Sequence, residues 1–321
     1  MKAVPTSGGD DQGETAKLRW AGGRRAVEEG VTSDPATVPP CARCSSVAVK
    51  RDGRESATHQ RFRCRGCRRT FTARTGTPFA RHRWPLEVIT TAVRWYCRYR
   101  LSAADVRDLL AERGIDVSAR TVLAWAHKFG PLLAAEGRRH ARPVGARWYV
   151  DETYVRVGGR WAYLYRAVDE AGQVIDVLLR EQRDLASARA FFDQAITRRG
   201  RRPKTVITDK HAAYRRAVRR RGWRATHIRT GLHRARGETT KAIERSHVPI
   251  KDRLRPMRGL HSVASGQRLL EGIELAHAIL RGHIGSAGAP GAGPRGRCPH
   301  ARSRDAAATF TWLATRLARA A

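Results

Sequence analysis

The chain predicts an α/β fold, a mixed sheet flanked by helices and preceded by two smaller units, and three features carry that expectation. β-branched and aromatic runs at 148–155, 161–168 and 173–179 are followed by a helical pattern at 185–199 and a short apolar run at 205–209. Upstream, apolar residues recur at helix spacing from Leu86 to Phe129. Further upstream, four of the six cysteines stand in two close pairs.

Residues 1–36 are rich in Gly, Asp, Glu, Thr and Pro without sustained period, and they read as a disordered tail. Residues 37–76 form the next unit. Cys41-x2-Cys44 and Cys64-x2-Cys67 are 19 residues apart, the spacing of a four-thiolate zinc ribbon. Four sulfurs close a tetrahedral structural site, and one Zn²⁺ would supply the stability that so small a segment cannot obtain from a core. A redox pair is the alternative, and two CxxC pairs at ribbon spacing argue against it. Arg61, Arg63, Arg65, Arg68 and Arg69, with Phe62 and Phe71, make the ribbon basic and aromatic. That suits a DNA backbone, and equally a solvated face. Cys97 and Cys298 have no such partners, and Cys97 reads as a core thiol.

Residues 80–135 read as a helix-turn-helix unit. Leu86, Ile89, Val93, Tyr96 and Cys97 mark one helix. Ser102-Ala103-Ala104-Asp105 has the form of a capping box, and Gly114 stops the helix that follows it. Ser118 caps the next, whose apolar stripe is Val122, Leu123, Trp125, Ala126 and Phe129; Gly130-Pro131 is expected to end it. Arg120, Thr121 and Lys128 on this second helix are the expected DNA contacts, in the major groove. An ordinary helical hairpin is the bland alternative. Residues 136–146 are a basic linker.

In residues 147–283 the period changes to two. In Trp148–Val155, Tyr149, Asp151, Thr153 and Val155 share one face and Val150, Glu152 and Tyr154 the other, so Asp151 and Glu152 cannot point into one site. Gly158-Gly159 fits a tight hairpin turn and Glu170-Ala171-Gly172 another. A helix at 185–199 and a strand ending at Asp209 follow. Strand, strand, strand, helix, strand, helix is the order of an RNase H-like core. Asp209 stands at the C-terminal end of its strand, where ligand sites of such sheets gather. Glu244, His247 and Lys251 fall at i, i+3 and i+7, on one face of a continuous helix. Three carboxylates from different elements, Asp151, Asp209 and Glu244, can hold two Mg²⁺ (or Mn²⁺) ions for phosphodiester chemistry, with Lys251 on a backbone phosphate. Surface pairing of each acid with an arginine is the alternative for any one of them. Pro249 predicts a kink between His247 and Lys251. Residues 284–321 begin Gly/Ala/Pro-rich and read as a C-terminal tail with a marginal helix.

The formal charge of +34 over 321 residues draws polyanions, and nucleic acid answers to it best. No apolar h-region follows Met-Lys-Ala-Val-Pro, and no run of about 18 apolar residues is present, so the expected setting is the cytoplasm, on the nucleoid, with no membrane contact.

Trp148 to Gly282 resembles the DDE transposases of the insertion-sequence-six group. The resemblance is carried by Asp151-Glu152-Thr153-Tyr154, Tyr163-Leu164-Tyr165-Arg166-Ala167-Val168-Asp169, Ile207-Thr208-Asp209-Lys210, Ile243-Glu244-Arg245-Ser246-His247, Ile250-Lys251, Arg255-Pro256-Met257-Arg258-Gly259 and Gly272-Ile273-Glu274. Thr240 and Lys241 stand where members often have Asn. The resemblance implies that Asp151, Asp209 and Glu244 are the metal-binding triad and Lys251 the basic partner. It also implies terminal inverted repeats and target DNA as partners, strand cleavage and 3′-hydroxyl transfer, and a homodimer or higher oligomer on DNA. A DNA-binding regulator or catalytically silent relic would bind ends without cutting them, and a structure-specific nuclease would cut without joining.

Overall fold

The computed structural model describes residues 38–56, 59–219, 223–230, 241–257, 260–285 and 299–319. The expected N-terminal tail, Cys298, Thr240 and Arg258-Gly259 lie outside them.

The ribbon is a three-stranded antiparallel sheet of β1 (Val49–Ser56), β2 (His59–Cys64) and β3 (Thr70–Thr72). Its small core consists of Phe62 and Phe71, cross-strand partners with ring centroids 5.6 Å apart, and the buried Cys41 and Cys64.

Three helices follow: α1 (Leu86–Arg98), α2 (Ala103–Ala111) and α3 (Ala119–Arg139). Both expected caps form. Ser102 Oγ accepts from Asp105 N at 3.1 Å while Asp105 Oδ2 accepts from Ser102 N at 2.6 Å. Ser118 Oγ accepts from Thr121 N at 3.1 Å. Gly114, at φ +70°, makes the turn after α2. The expected stop at Gly130-Pro131 is wrong, because α3 runs through Pro131 to Arg139. Gly130 serves a helix crossing instead. A Cβ there would stand 3.5 Å from Gly272 Cα, so two glycines let α3 and a later helix approach backbone to backbone.

The main sheet has the order β6-β5-β4-β7-β8. β4 (Arg147–Val157), β5 (Arg160–Asp169) and β6 (Val174–Arg180) are antiparallel, and β7 (Thr205–Thr208) and β8 (Thr226–Arg229) add in parallel to β4. The β4–β5 turn uses Gly158 and Gly159 at φ +55° and +78°, as their positions require. α4 (Leu185–Arg199) and α5 (Ala212–Val218) cover one face, packing Phe191, Phe192 and Tyr214 on Trp148, Val150 and Tyr165. The other face meets α6 (Lys241–Leu254) and α7 (Val263–Leu280), and its core continues without a break into α1 and α3. The order along the chain, three strands, a helix, a strand and a helix, is the one read from the sequence for an RNase H-like core.

The C-terminal segment is more than a tail. α8 (Pro299–Arg319) buries Phe310, Leu313 and Ala314 in the same core. Its Trp312 ring meets His140 at 4.7 Å, and Arg316 Nε reaches the buried Glu136 at 3.1 Å. This 21-residue helix draws its stability from that packed face. Among the described residues no helix is long and apolar enough to cross a membrane.

Candidate active site and metal centres

Asp151 sits in the middle of β4. The parallel ladder pairs Arg147 with Thr205, Trp148 with Val206 and Tyr149 with Ile207. Extending that register by two residues brings Asp151 beside Asp209, where β7 ends and the chain leaves the sheet. Asp209 Oδ1 accepts from His211 N at 2.9 Å, which turns the chain into α5. The two acids thus stand on neighbouring strands with their side chains one-fifth and about two-fifths exposed (20% and 38%).

Glu244 lies in the first turn of α6 and is exposed. α6 continues through Pro249, which leaves the helix unbroken to Leu254 and Lys251 exposed on its last turn. One turn beyond Glu244, His247 is buried with Nε2 3.4 Å from Asp151 Oδ2. His247 therefore sits where the helix of the third acid packs on the strand of the first. Arg166, cross-strand partner of Asp151, is wholly buried beneath the same junction. It makes two bonds to Glu274 of α7 and donates to Ser246 of α6.

Glu152 faces away from Asp151, as the pleat requires. It accepts from Tyr214 and pairs with Arg183, and Arg183 Nη2 also reaches Asp209 Oδ2 at 3.0 Å. Burial pushes the Glu152 carboxyl up, against the opposing pull of the Tyr214 hydroxyl and the Arg183 guanidinium. Arg183 is thus a cation beside one of the three acids. Nothing in its local sequence marked Arg183, and Arg166 and Glu274 stand in the quoted motifs without an assigned role, because their partners lie 26 to 108 residues away. Among the described residues, the three carboxylates do not gather within 4.8 Å of one another. Arg183 pairs with Asp209, and His247 lies against Asp151. Asp209 at the end of β7, Asp151 on β4 and Glu244 on α6 offer carboxylate oxygens, the ligand type that suits a hard divalent cation.

The four cysteines do gather. All their sulfurs lie within 4.8 Å of one another, with Cys41 to Cys67 at 3.7 Å and Cys44 to Cys64 at 3.6 Å. Zn–S bonds of about 2.3 Å at tetrahedral angles give sulfur separations of about 3.8 Å, so the cradle has the size of a zinc site. Cys64 Sγ accepts from Cys67 N at 3.4 Å, and this bond is the main cause pulling its thiol down to about 6. Cys97 is a core thiol, buried between α1 and α7, and burial pushes it up to about 12.

On α3, Arg120, Ala124 and Lys128 form an exposed stripe at successive turns. Thr121 is partly buried and its hydroxyl lies 2.9 Å from Ser118 Oγ, so it belongs to the helix cap. Lys128 Nζ lies 2.8 Å from His82 Nε2. Arg61, Arg63, Arg65, Arg68 and Arg69 are all exposed on the ribbon.

A transposase of the DDE type is the class that this sheet, these acids and the ribbon define. A DDE domain family matches residues 145–283, and the InsA N-terminal domain family, a zinc ribbon, matches residues 36–68. The transposase of insertion sequence-like element IS431mec of Staphylococcus aureus (strain Mu50) is 35% identical over 195 residues, 61% of this chain and 85% of that one. The transposase of insertion sequence element IS257 in transposon Tn4003, also of Staphylococcus aureus, is 34% identical with the same coverage. Among solved structures, the HTLV-2 integrase catalytic core domain is similar at 19% identity over 46% of this chain and 95% of that chain, with a TM-score of 0.33. The chain belongs to the DDE transposases of the insertion-sequence-six group.

Proposed function

We propose that this transposase binds the terminal inverted repeats of its own element, cuts the strand there, and joins the freed 3′ end to target DNA, with Asp151, Asp209 and Glu244 as the metal-binding triad. The observation that supports the reading is the β4–β7 register, which extended by two residues would bring Asp151 beside Asp209, together with the packing of His247, one turn beyond Glu244, against Asp151.

Two Mg²⁺ or Mn²⁺ ions held by these acids would activate the attacking oxygen and stabilise the leaving one. The chain's own residues do the rest. His247 lies against the Asp151 carboxylate, and the buried Arg166 holds α6 through Ser246. Lys251, exposed on the last turn of α6, takes a backbone phosphate as a point charge. In cleavage, a water oxygen bonds to phosphorus while the phosphorus–O3′ bond breaks. In transfer, that 3′-hydroxyl attacks a target phosphodiester and a second phosphorus–O3′ bond breaks in line. Each displacement exchanges one phosphoester bond for another bond to the same phosphorus, so no Ser or Tyr nucleophile is required.

Arg120 and Lys128, with the arginines of the ribbon, supply the grip on duplex DNA. Two ends must be held for joining, which calls for at least two protomers.

The test is a joining reaction with purified protein, Mg²⁺, DNA carrying the sequences that flank its gene, and a target plasmid. Wild type is expected to join. Asp151→Ala, Asp209→Ala and Glu244→Ala are expected to bind the ends and form no product. Joining by any of the three variants removes that residue from the triad.

A further inference from the structure

We propose that the outward face of the β4–β5 hairpin, built from Tyr154, Trp161 and Arg156, is a stacking platform for unpaired bases of the DNA strand that leaves the catalytic site. The inference rests on the strand-transfer reading above and names the form of substrate that this side of the site takes.

Tyr154 and Trp161 are among the most exposed large hydrophobic residues described, at 52% and 59%. They are not stray. Tyr154 is the cross-strand partner of Tyr163, with ring centroids 5.2 Å apart, and it meets Trp161 edge to face at 6.2 Å. Arg156, opposite Trp161, holds its guanidinium 4.9 Å from that ring's centroid. By the pleat, Tyr154 and Arg156 share the face of Glu152, about 7 Å per two residues along the strand. On that face α4 and α5 cover Trp148 and Val150, and the cover ends before Tyr154. The platform therefore continues outward from the Glu152–Arg183–Asp209 cluster, on the strand that carries Asp151 and on the face opposite its side chain.

The hairpin is held in place from behind. Gly158 N donates to Leu260 O at 2.6 Å, Leu260 N donates to Arg156 O at 3.3 Å, and Val155 and Val157 are buried in the main core. Its aromatic faces are thus presented by a fixed support that is also tied to the segment linking α6 to α7. A preformed site loses little entropy on binding.

The composition selects the occupant. Rings and guanidinium groups, with no exposed aliphatic side chain beside them on either strand, match bases and phosphates. A protein partner would call for an apolar core within the patch. Bases inside a duplex are stacked on both sides, and only the terminal pair offers an outer face, so the platform favours nucleotides already unpaired.

The test compares a blunt duplex of the element's end with the same duplex bearing a short single-stranded extension that contains 2-aminopurine. Wild type is expected to bind the extended duplex more tightly, with the 2-aminopurine emission quenched. Tyr154→Leu combined with Trp161→Leu keeps an apolar side chain on each strand and removes both π faces. It should bind the blunt duplex as wild type does and lose roughly tenfold or more of the preference for the extension. Trp161→Phe should retain most of the preference. Equal preference in the Leu pair overturns the proposal, and so does a wild type with no preference. A Leu pair that binds DNA normally but sediments as a smaller oligomer overturns it in favour of an interface between copies. Should the Leu pair unfold, a 5-iodouracil extension photo-crosslinked to unmutated protein decides: adducts at Tyr154 or Trp161 support the platform, and adducts elsewhere overturn it. Joining by wild type is measured alongside. Its absence would sink the strand-transfer reading, whereas joining with an unchanged Leu pair would sink the platform alone.

Discussion

Arg166 and Glu274 meet in the interior as a two-point ion pair, Nε to Oε1 at 2.7 Å and Nη2 to Oε2 at 3.2 Å. Removing one partner leaves the other charged and buried. Glu274→Ala is therefore expected to destabilise the fold by about 3–5 kcal/mol, read from urea unfolding, while a combined Arg166→Met and Glu274→Leu replacement recovers much of that loss.

The same pair sets an acid limit. Burial raises the Glu274 carboxyl, and Arg166 more than offsets that, so its folded value lies below the ordinary 4.5. A depressed carboxylate contributes stability that is fully present above its unfolded value and is lost as pH falls through its folded value. The stability gap between wild type and Glu274→Gln should accordingly be constant at neutral pH and narrow below about pH 4.5. A gap unchanged down to pH 3 would show that the charge of Glu274 adds nothing.

Gly272 stands where α1, α3 and α7 cross. A Cβ there would lie 2.8 Å from Cys97 Sγ and 3.3 Å from Gly130 Cα. Gly272→Ala should cost about 1–3 kcal/mol through overpacking. Adding Cys97→Ala removes the nearer clash, and the double variant should be more stable than the sum of the singles. Strict additivity would place the strain elsewhere.

The ribbon should hold one zinc ion, and chelation should unfold it alone. Its core is four residues, against the large continuous core behind α1 and α3. Treatment with a strong chelator is expected to release one equivalent of zinc and expose the segment around residues 41–72 to protease, with the sheet domain resistant. Cys64→Ser should copy the effect without chelator.

Arg120 is exposed on the stripe of α3, and Thr121 is engaged in its cap. Arg120→Gln should weaken binding to duplex ends and lower the slope of log affinity against log salt by about one. Thr121→Val should leave that slope unchanged. An equal effect of both would argue that α3 acts by its fold and not by phosphate contact.

The sequence by itself determined the local layout: the capping box at Ser102 and the cap at Ser118, the turn at Gly158-Gly159, the strand that leads into Asp209, and the separation of Asp151 from Glu152 by the pleat. Each is a matter of neighbouring residues, where period and φ preference act directly. The two CxxC pairs were legible for the same reason, since metal spacing is written in the chain. Tertiary structure decided the rest. Gly130-Pro131 reads as a helix stop, and only the facing Gly272 reveals it as a crossing. The last helix looks marginal in isolation and becomes part of the core once α1 and α3 offer it a face. Arg183 on Asp209, and Arg166 between Ser246 and Glu274, join residues far apart in the chain. Such pairs leave no local pattern, because long-range contacts depend on which surfaces the packed elements bring together.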